Sequence, residues 1–292
     1  MRNFSAGFAA HIASGATTLC WCWKLVRTDG VTFGFTDHDA ALSFGGATYT
    51  PAHGLDGGET VARTGAQTQT AEVLGVLHAE AITETDIAMG RYDSARVESW
   101  RVNWRDVSER HLMRADTIGE IVREDGVFRA ELRSGQYALN VPKGRVYHHL
   151  CDARLGDGRC GFALEQSGFR TNATVTAVED ASRISVSGIS GFVAGWFAYG
   201  HVKWTSGARA GIEDGVSAHS GMTLGFDRNV ADTVAVGDTL TVYAGCDKQF
   251  ATCKAKFGNG VNFQGFPHIP GNDFLMRYPN EDDPMTGGSF FG

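Results

Sequence analysis

Four cysteines fall into two pairs. Cys151 and Cys160 lie in HLCDARLGDGRCGF, and Cys246 and Cys253 lie in AGCDKQFATCKAKFG. Thiolates are soft ligands, so cysteines in this arrangement are candidates for disulfides, a structural zinc, an iron–sulfur cluster or a redox centre. The stripe Cys246, Phe250, Cys253 and Phe257 predicts one helix over residues 246–257, with Asp247 in its first turn. At about 100° per residue, seven steps return the chain to within about 20° of the same face, and the two thiols then stand roughly 10 Å apart. That separation exceeds the Cα spacing of about 7 Å that a disulfide tolerates, so a helix over the whole segment excludes a bond between them. Cys151 and Cys160 would sit on opposite sides of any helix. The LGDG between them breaks a helix and lets the chain fold back, making this a loop pair free to approach the other.

Three readings of the four thiols remain open at this level. They are buried free cysteines, which are common core residues, a zinc site, or a cluster. The tight C-x₂-C knuckle usual in zinc ribbons is missing, and a wide thiol span suits a cluster better than a small ion.

The other reactive residues carry weaker signals. Cys20 and Cys22 alternate with tryptophans in CWCW, a strand pattern that predicts core or interface positions. His148, His149 and His268 lie near the cysteines in sequence, which makes a cysteine peptidase the enzymatic alternative. However, no nucleophile sits on a strand-to-helix turn, and the chain is read as non-enzymatic. Asp37 and Asp39 in DHD are turn residues by type, with cation binding the lesser alternative. The run GFVAGWFAYG is read as a packed strand pair in preference to a glycan-binding surface.

Residues 17–50 alternate as strands around Asp29-Gly30 and Gly45-Gly46, both hairpin turn pairs. A short helix is expected from about Phe4 to Ile12. A second is expected after Thr83, which can cap it, with Glu84 and Asp86 in the first turn and Gly90 closing it. ARVESWRVNWRDV reads as a strand with Trp100, Val102 and Trp104 on one face, and Asp125-Gly126 marks a third hairpin. Residues 53–75 read as a long loop or irregular strand. Between 168 and 245 short strands recur (TNATVTAVED, RISVSG, GWFAYGHVKWTSG, MTLGF, DTLTVYAG), predicting a small β-barrel or sandwich. After residue 258 the chain turns irregular, with an acidic, glycine-rich end.

The chain has 292 residues, 42% of them hydrophobic, with 38 glycines, 6 prolines and a formal net charge of −7. It is long enough to bury a core without cross-links. The acidic balance and the absence of a dense basic run argue against gripping nucleic acid, while leaving room for a passage that DNA slides through. No apolar stretch is long enough to span a membrane. The N-terminal residues lack the pattern of a signal peptide. Synthesis in the cytosol is therefore expected, where six cysteines are thiols or ligands more often than disulfides.

C-x₈-C followed far downstream by C-x₆-C is similar to the cysteine pattern of the phage lambda tail-tip protein, which carries a [4Fe–4S] cluster. Over most of residues 15 to 272 the chain resembles the tail hub proteins of gene transfer agents and related siphophages. The matching stretches are DGVTFGFTDHDAALSFGGATYTP, TETDIAMGRYDSARVESWRVNW, LCDARLGDGRCG, VKWTSG and GDTLTVYAGCDKQFATCKAKFGNGVNFQGFPHIPG.

The resemblance implies a mainly β fold with short helices, in which tail-tube-like β-sandwich or barrel domains join a small β insert and a cysteine-ligated cluster region. It implies a tube-like hub domain over 1–148, a first cysteine loop over 149–167, a small barrel-like domain over 168–245, and a cluster helix with an irregular segment over 246–292. Cys151, Cys160, Cys246 and Cys253 would ligate a [4Fe–4S] cluster, with zinc the alternative, while Cys20 and Cys22 match no ligand position. The hub would be a homotrimer at the tip of a phage-like tail, matching the six-fold tube with two tube-like domains per subunit. A distal tail or tail tube protein would lie above it. Below would lie a central fibre or receptor-binding tip protein, with room for a cell-wall peptidase. DNA would pass only in transit. The particle would be assembled in the bacterial cytoplasm.

Overall fold

The computed structural model describes residues 4–51, 56–57, 70–76, 82–124, 127–140 and 142–269. They fall into two units, Met1–Lys143 and Gly144–Gly292. Both are mainly β, with short helices.

The first unit opens with helix α1 (Ala6–Ala13), whose start is fixed by Ser5, its Oγ accepting from the Phe8 N–H at 3.4 Å. Strands β1 (Leu19–Val26), β2 (Thr32–Thr36), β3 (Leu42–Phe44), β4 (Ala47–Pro51), β5 (Asp56–Gly57) and β6 (Thr70–Val76) follow. Then come helix α2 (Glu84–Ala88), strands β7 (Arg96–Asn103), β8 (Arg110–Glu124) and β9 (Val127–Ser134), and helix α3 (Tyr137–Asn140). The strands form one nine-stranded sheet in the order β3-β4-β2-β1-β7-β8-β9-β6-β5.

The expected turns are present. Gly30 has φ +89° in the β1–β2 connection. Gly45 and Gly46, at φ +57° and +73°, close the β3–β4 hairpin across the Phe44–Ala47 pair, as a two-residue turn with both φ positive requires. Thr83 caps α2 through its Oγ1, which accepts from the Asp86 N–H at 3.1 Å. The β8–β9 hairpin pairs Glu124 with Val127, while its turn residues 125–126, most of 53–75 and the tail after 269 lie outside the described residues.

Strand β1 serves two cores at once. Cys20 and Cys22 pack with Leu42, Phe44, Tyr49 and Val102, and Trp100 and Trp104 pack against them. Leu25 and Trp23 join a second cluster that includes Phe35, Tyr92 and Val97. The two-residue period of the strand sends the cysteines of CWCW to one face and Trp23 to the other.

The second unit is built on a closed barrel. Its strands are β10 (Arg170–Asp180), β11 (Arg183–Ser187), β12 (Gly200–Trp204), β13 (Glu213–Ser220), β14 (Thr223–Phe226) and β15 (Thr239–Tyr243), and helix α4 (Phe250–Phe257) follows. The barrel order is β10-β11-β14-β13-β12-β15. Val175, Ile184, Phe197, Val202, Trp204, Leu224 and Val242 are fully or almost fully buried inside it. Closure leaves no unpaired edge.

One strand carries no signal in the sequence, and two expectations need correction. Strand β13 runs through EDGVSAHS, a sequence with little β propensity. It is held by pairing on both sides and by burial of Asp214, Val216 and His219. The run GFVAGWFAYG is a succession of tight turns instead of a strand pair. The N–H groups of Phe192, Trp196, Ala198 and Gly200 each donate to the carbonyl three residues back, and Gly195 and Tyr199 take positive φ. Finally, α4 begins at Phe250, so Cys246 and Asp247 precede the helix.

Candidate cysteine cluster site

Barrel closure brings the two cysteine segments together. Its first and last strands pair antiparallel, with Arg170 opposite Tyr243. One residue beyond, the Ala244 N–H donates to the Phe169 carbonyl at 2.7 Å. The chain therefore enters and leaves the barrel side by side, and the segments before β10 and after β15 run on from adjoining strands.

The second segment is shaped by a bend at Lys248, which has φ +66°. The bend lifts Cys246 off the helix axis, so the two thiols are not held two turns apart on a rigid rod. Asp247 ties the start of the helix instead of sitting inside it, with Oδ1 accepting from the Gln249 N–H at 3.0 Å and Oδ2 from Thr252 Oγ1 at 2.7 Å. Gly245 runs against the barrel so closely that a Cβ there would stand 1.6 Å from the Ala198 carbonyl oxygen. At its other end α4 stops at Gly258, φ +60°, where the Asn259 N–H donates to the Cys253 carbonyl at 3.0 Å. This left-handed close is one that glycine adopts without Cβ strain.

The first segment folds around Asp157. Its carboxylate accepts from the N–H groups of Cys160 at 2.7 Å, Arg154 at 3.0 Å and Arg159 at 3.0 Å. These bonds, that of Cys160 first, hold its carboxyl below the usual carboxylate range. Asp152 lies between Arg159 and Arg145, and the Arg145 guanidinium also reaches the Gln264 carbonyl.

Direct contacts join the two segments. The Cys151 N–H donates to the Lys248 carbonyl at 2.9 Å. Lys248 Nζ donates to the Ala153 carbonyl, and Asn259 Nδ2 to the Cys160 carbonyl at 2.7 Å. Between them lies a small pocket lined by all four cysteines together with Ala153, Leu155, Phe257, Asn259, Asn262 and Phe263. Cys160 and Cys253 are buried, and Cys151 and Cys246 half-buried.

Burial, followed by the proximity of Cys246, Cys160 and Cys151, pushes the Cys253 thiol up to about 11. Burial likewise raises Cys246, while Lys248 pulls it back. Four thiolates cannot share such a pocket alone, whereas a cationic centre among them reverses the balance. The donor set is four soft sulfurs in a largely apolar wall, with N–H donors at hand, and it fits a thiolate-ligated cluster. Among the described residues there is no group of three or more His, Cys, Asp or Glu side chains arranged to hold a metal ion.

The remaining candidates are placed elsewhere. Asp37 accepts from the Trp21 N–H at 2.7 Å and serves the sheet. His148 stacks on His149 and accepts from the Leu150 N–H through Nδ1, so this pair packs and caps. Cys20 and Cys22 are enclosed in the first unit. Sequence reasoning missed the Lys248 bend and the role of Asp157. The Asp-Gly in LGDG was a turn signal, but nothing in it announced that the carboxylate would gather three backbone N–H groups.

Comparison with known proteins agrees along the length of the chain. The family model described as "Baseplate hub protein, N-terminal attachment domain" matches residues 5–163. The one described as "Phage conserved hypothetical protein BR0599" matches residues 195–273. A chain in a solved structure titled "Virion of native gene transfer agent (GTA) particle" is 38% identical, with a TM-score of 0.88 over 98% of this chain and 100% of that one. No curated protein matches the sequence. No helix among the described residues is long and apolar enough to cross a membrane.

Proposed function

The chain belongs to the baseplate hub protein family, and from that premise we propose that it forms a trimeric ring at the tip of a phage-like tail, stapled in each subunit by a [4Fe–4S] cluster on Cys151, Cys160, Cys246 and Cys253. The observation that carries the staple is that four cysteines from two distant segments line one pocket. Bound there, a cluster would supply four metal–sulfur links between the loop and the segment around α4. The chain's own residues do the positioning. Asp157 shapes the loop around Cys160, Lys248 turns Cys246 inward, and Phe257 and Phe263 keep the wall apolar. The cluster reading, with zinc the alternative, rests on the cysteine pattern and on the four thiols lining one pocket.

The hub role rests on the full-length likeness to a chain of a gene transfer agent particle. Three copies, each presenting two β units, would join a six-fold tube to a three-fold fibre. The ring would contact a distal tail or tail tube protein on one side and a fibre or receptor-binding tip on the other. The formal charge of −7 suits a passage that releases DNA instead of holding it. The likeness to a baseplate hub and to a chain of a virion supports a structural reading of the function. Anaerobic purification with iron, sulfide and zinc analysis tests the staple. Stoichiometric iron and sulfide are expected, and zinc without iron overturns the cluster. Counting hub subunits in assembled particles tests the ring.

A further inference from the structure

We propose that Lys248 and Lys256 form a cationic brace around Cys246 that balances the charge of a thiolate-ligated cluster in this pocket. The inference rests on the cluster reading above. A cubane core bound by four thiolates carries net negative charge, and its stability and potential follow the charges and N–H donors around its sulfurs.

Lys248 stands two residues after Cys246, at a bend where its backbone is left-handed, φ +66°, a conformation that costs a lysine more than it would a glycine. The same residue offers its carbonyl to Cys151 and its ammonium to the Ala153 carbonyl. Lys256 reaches the residue that precedes Cys246. Its Nζ donates to the Trp196 carbonyl at 2.6 Å and the Gly245 carbonyl at 2.8 Å, and lies 4.4 Å from the centre of the Trp196 ring.

Among the described residues neither ammonium is within ion-pair distance of a carboxylate. Asp247, the acid between them in sequence, is hydrogen-bonded by Gln249 and Thr252 and keeps its charge nearby without pairing either lysine. A half-buried cation held only by carbonyls and a ring is costly unless negative charge stands close by. A thiolate-ligated centre held through Cys246 would add to the charge that Asp247 supplies. On the same helix Lys254 is exposed, which makes it the control.

The test uses full-length protein purified anaerobically, comparing the parent with Lys256→Met, Lys256→Gln, Lys248→Gly and Lys254→Met. Iron and sulfide content, midpoint potential in a dye-mediated titration and the rate of iron release to a chelator are read for each. Lys256→Gln keeps a donor for the two carbonyls without the charge, and Lys248→Gly keeps the left-handed bend and its N–H. The expected result is a more negative midpoint in all three brace variants, with iron release about tenfold faster, and parental behaviour in Lys254→Met. Loaded brace variants with the parental midpoint overturn the proposal. So does a shift in Lys256→Met that Lys256→Gln does not share, because the residue would then act as a donor and not as a charge. A parent that holds no iron and sulfide overturns the cluster reading, and this inference falls with it.

Discussion

The Cys151 N–H donates to the carbonyl of Lys248 at 2.9 Å. This one bond ties the loop that carries the first cysteine pair to the bend that carries the second. Both segments are already delivered to the same place by the pairing of β10 with β15. The long sequence gap between the pairs is therefore spanned by the barrel, and the cysteine site completes a juxtaposition that strand pairing has set up.

With the proposed cluster in place, removing a pocket cysteine and removing a core cysteine will both lower stability but differ in metal content. Cys253→Ser is expected to lose iron and to lower the melting temperature of the anaerobic protein. Cys20→Ala is expected to retain full iron and to cost about 1 kcal/mol through lost packing. Metal analysis alongside thermal melts separates the two.

Asp157 gives the site a dependence on acid. Its folded-state pKa lies below the unfolded value because backbone N–H groups favour the carboxylate. Its contribution is therefore complete above the unfolded aspartate value of about 3.9 and is lost as pH falls through that value toward the depressed one. Iron release measured against pH will accelerate in that acidic window. In Asp157→Asn release is faster at neutral pH, and the part of the acceleration due to this group disappears.

The barrel contains a buried ion pair whose loss will be large. Arg209 and Asp214 meet at 2.8 Å, their side chains 2% and 0% exposed, and Asp214 Oδ2 also accepts from Trp204 Nε1 at 2.7 Å. Arg209→Met leaves the carboxylate enclosed without its partner and is expected to cost about 3–5 kcal/mol. Replacing both residues with apolar ones of similar size will cost less. Urea unfolding of the single and double variants reads the difference.

Gly245 is expected to accept no side chain. Gly245→Ala places a methyl group into the Ala198 carbonyl, forcing a backbone shift worth about 1–3 kcal/mol or more. Because Cys246 is the next residue, the shift will also reduce iron content, which elemental analysis of the variant will show.

Much of this was legible in the sequence, wherever a local signal and the tertiary answer coincide. Asp29-Gly30, Gly45-Gly46 and the Thr83 cap specify their own geometry within a few residues, and all three formed as expected. The alternation of CWCW assigned Cys20 and Cys22 to the core because a strand's period is fixed. Strand β13 was hidden because Glu213, Asp214, Gly215 and His219 have no strand preference of their own and are held by neighbours far away in sequence. The helix start was misplaced because Cys246 matches the helical stripe by spacing, while the bend at Lys248 comes from contacts with the first cysteine segment. The resemblance supplied the pairing of the two cysteine segments, and the register of β10 and β15 shows what makes that pairing possible.

The shared doorway of the barrel also has a mechanical meaning. Tension between residues 144 and 269 would reach the barrel at neighbouring points, Arg170 and Tyr243, and would pull those strands apart one rung at a time from the open end. Ladders peeled in this way yield at lower force than ladders sheared along their length. The contacts between the cysteine segments lie ahead of the first rung, so they bear the load before the barrel does. A metal–sulfur link at that point would turn the weakest place on the force path into the last to open.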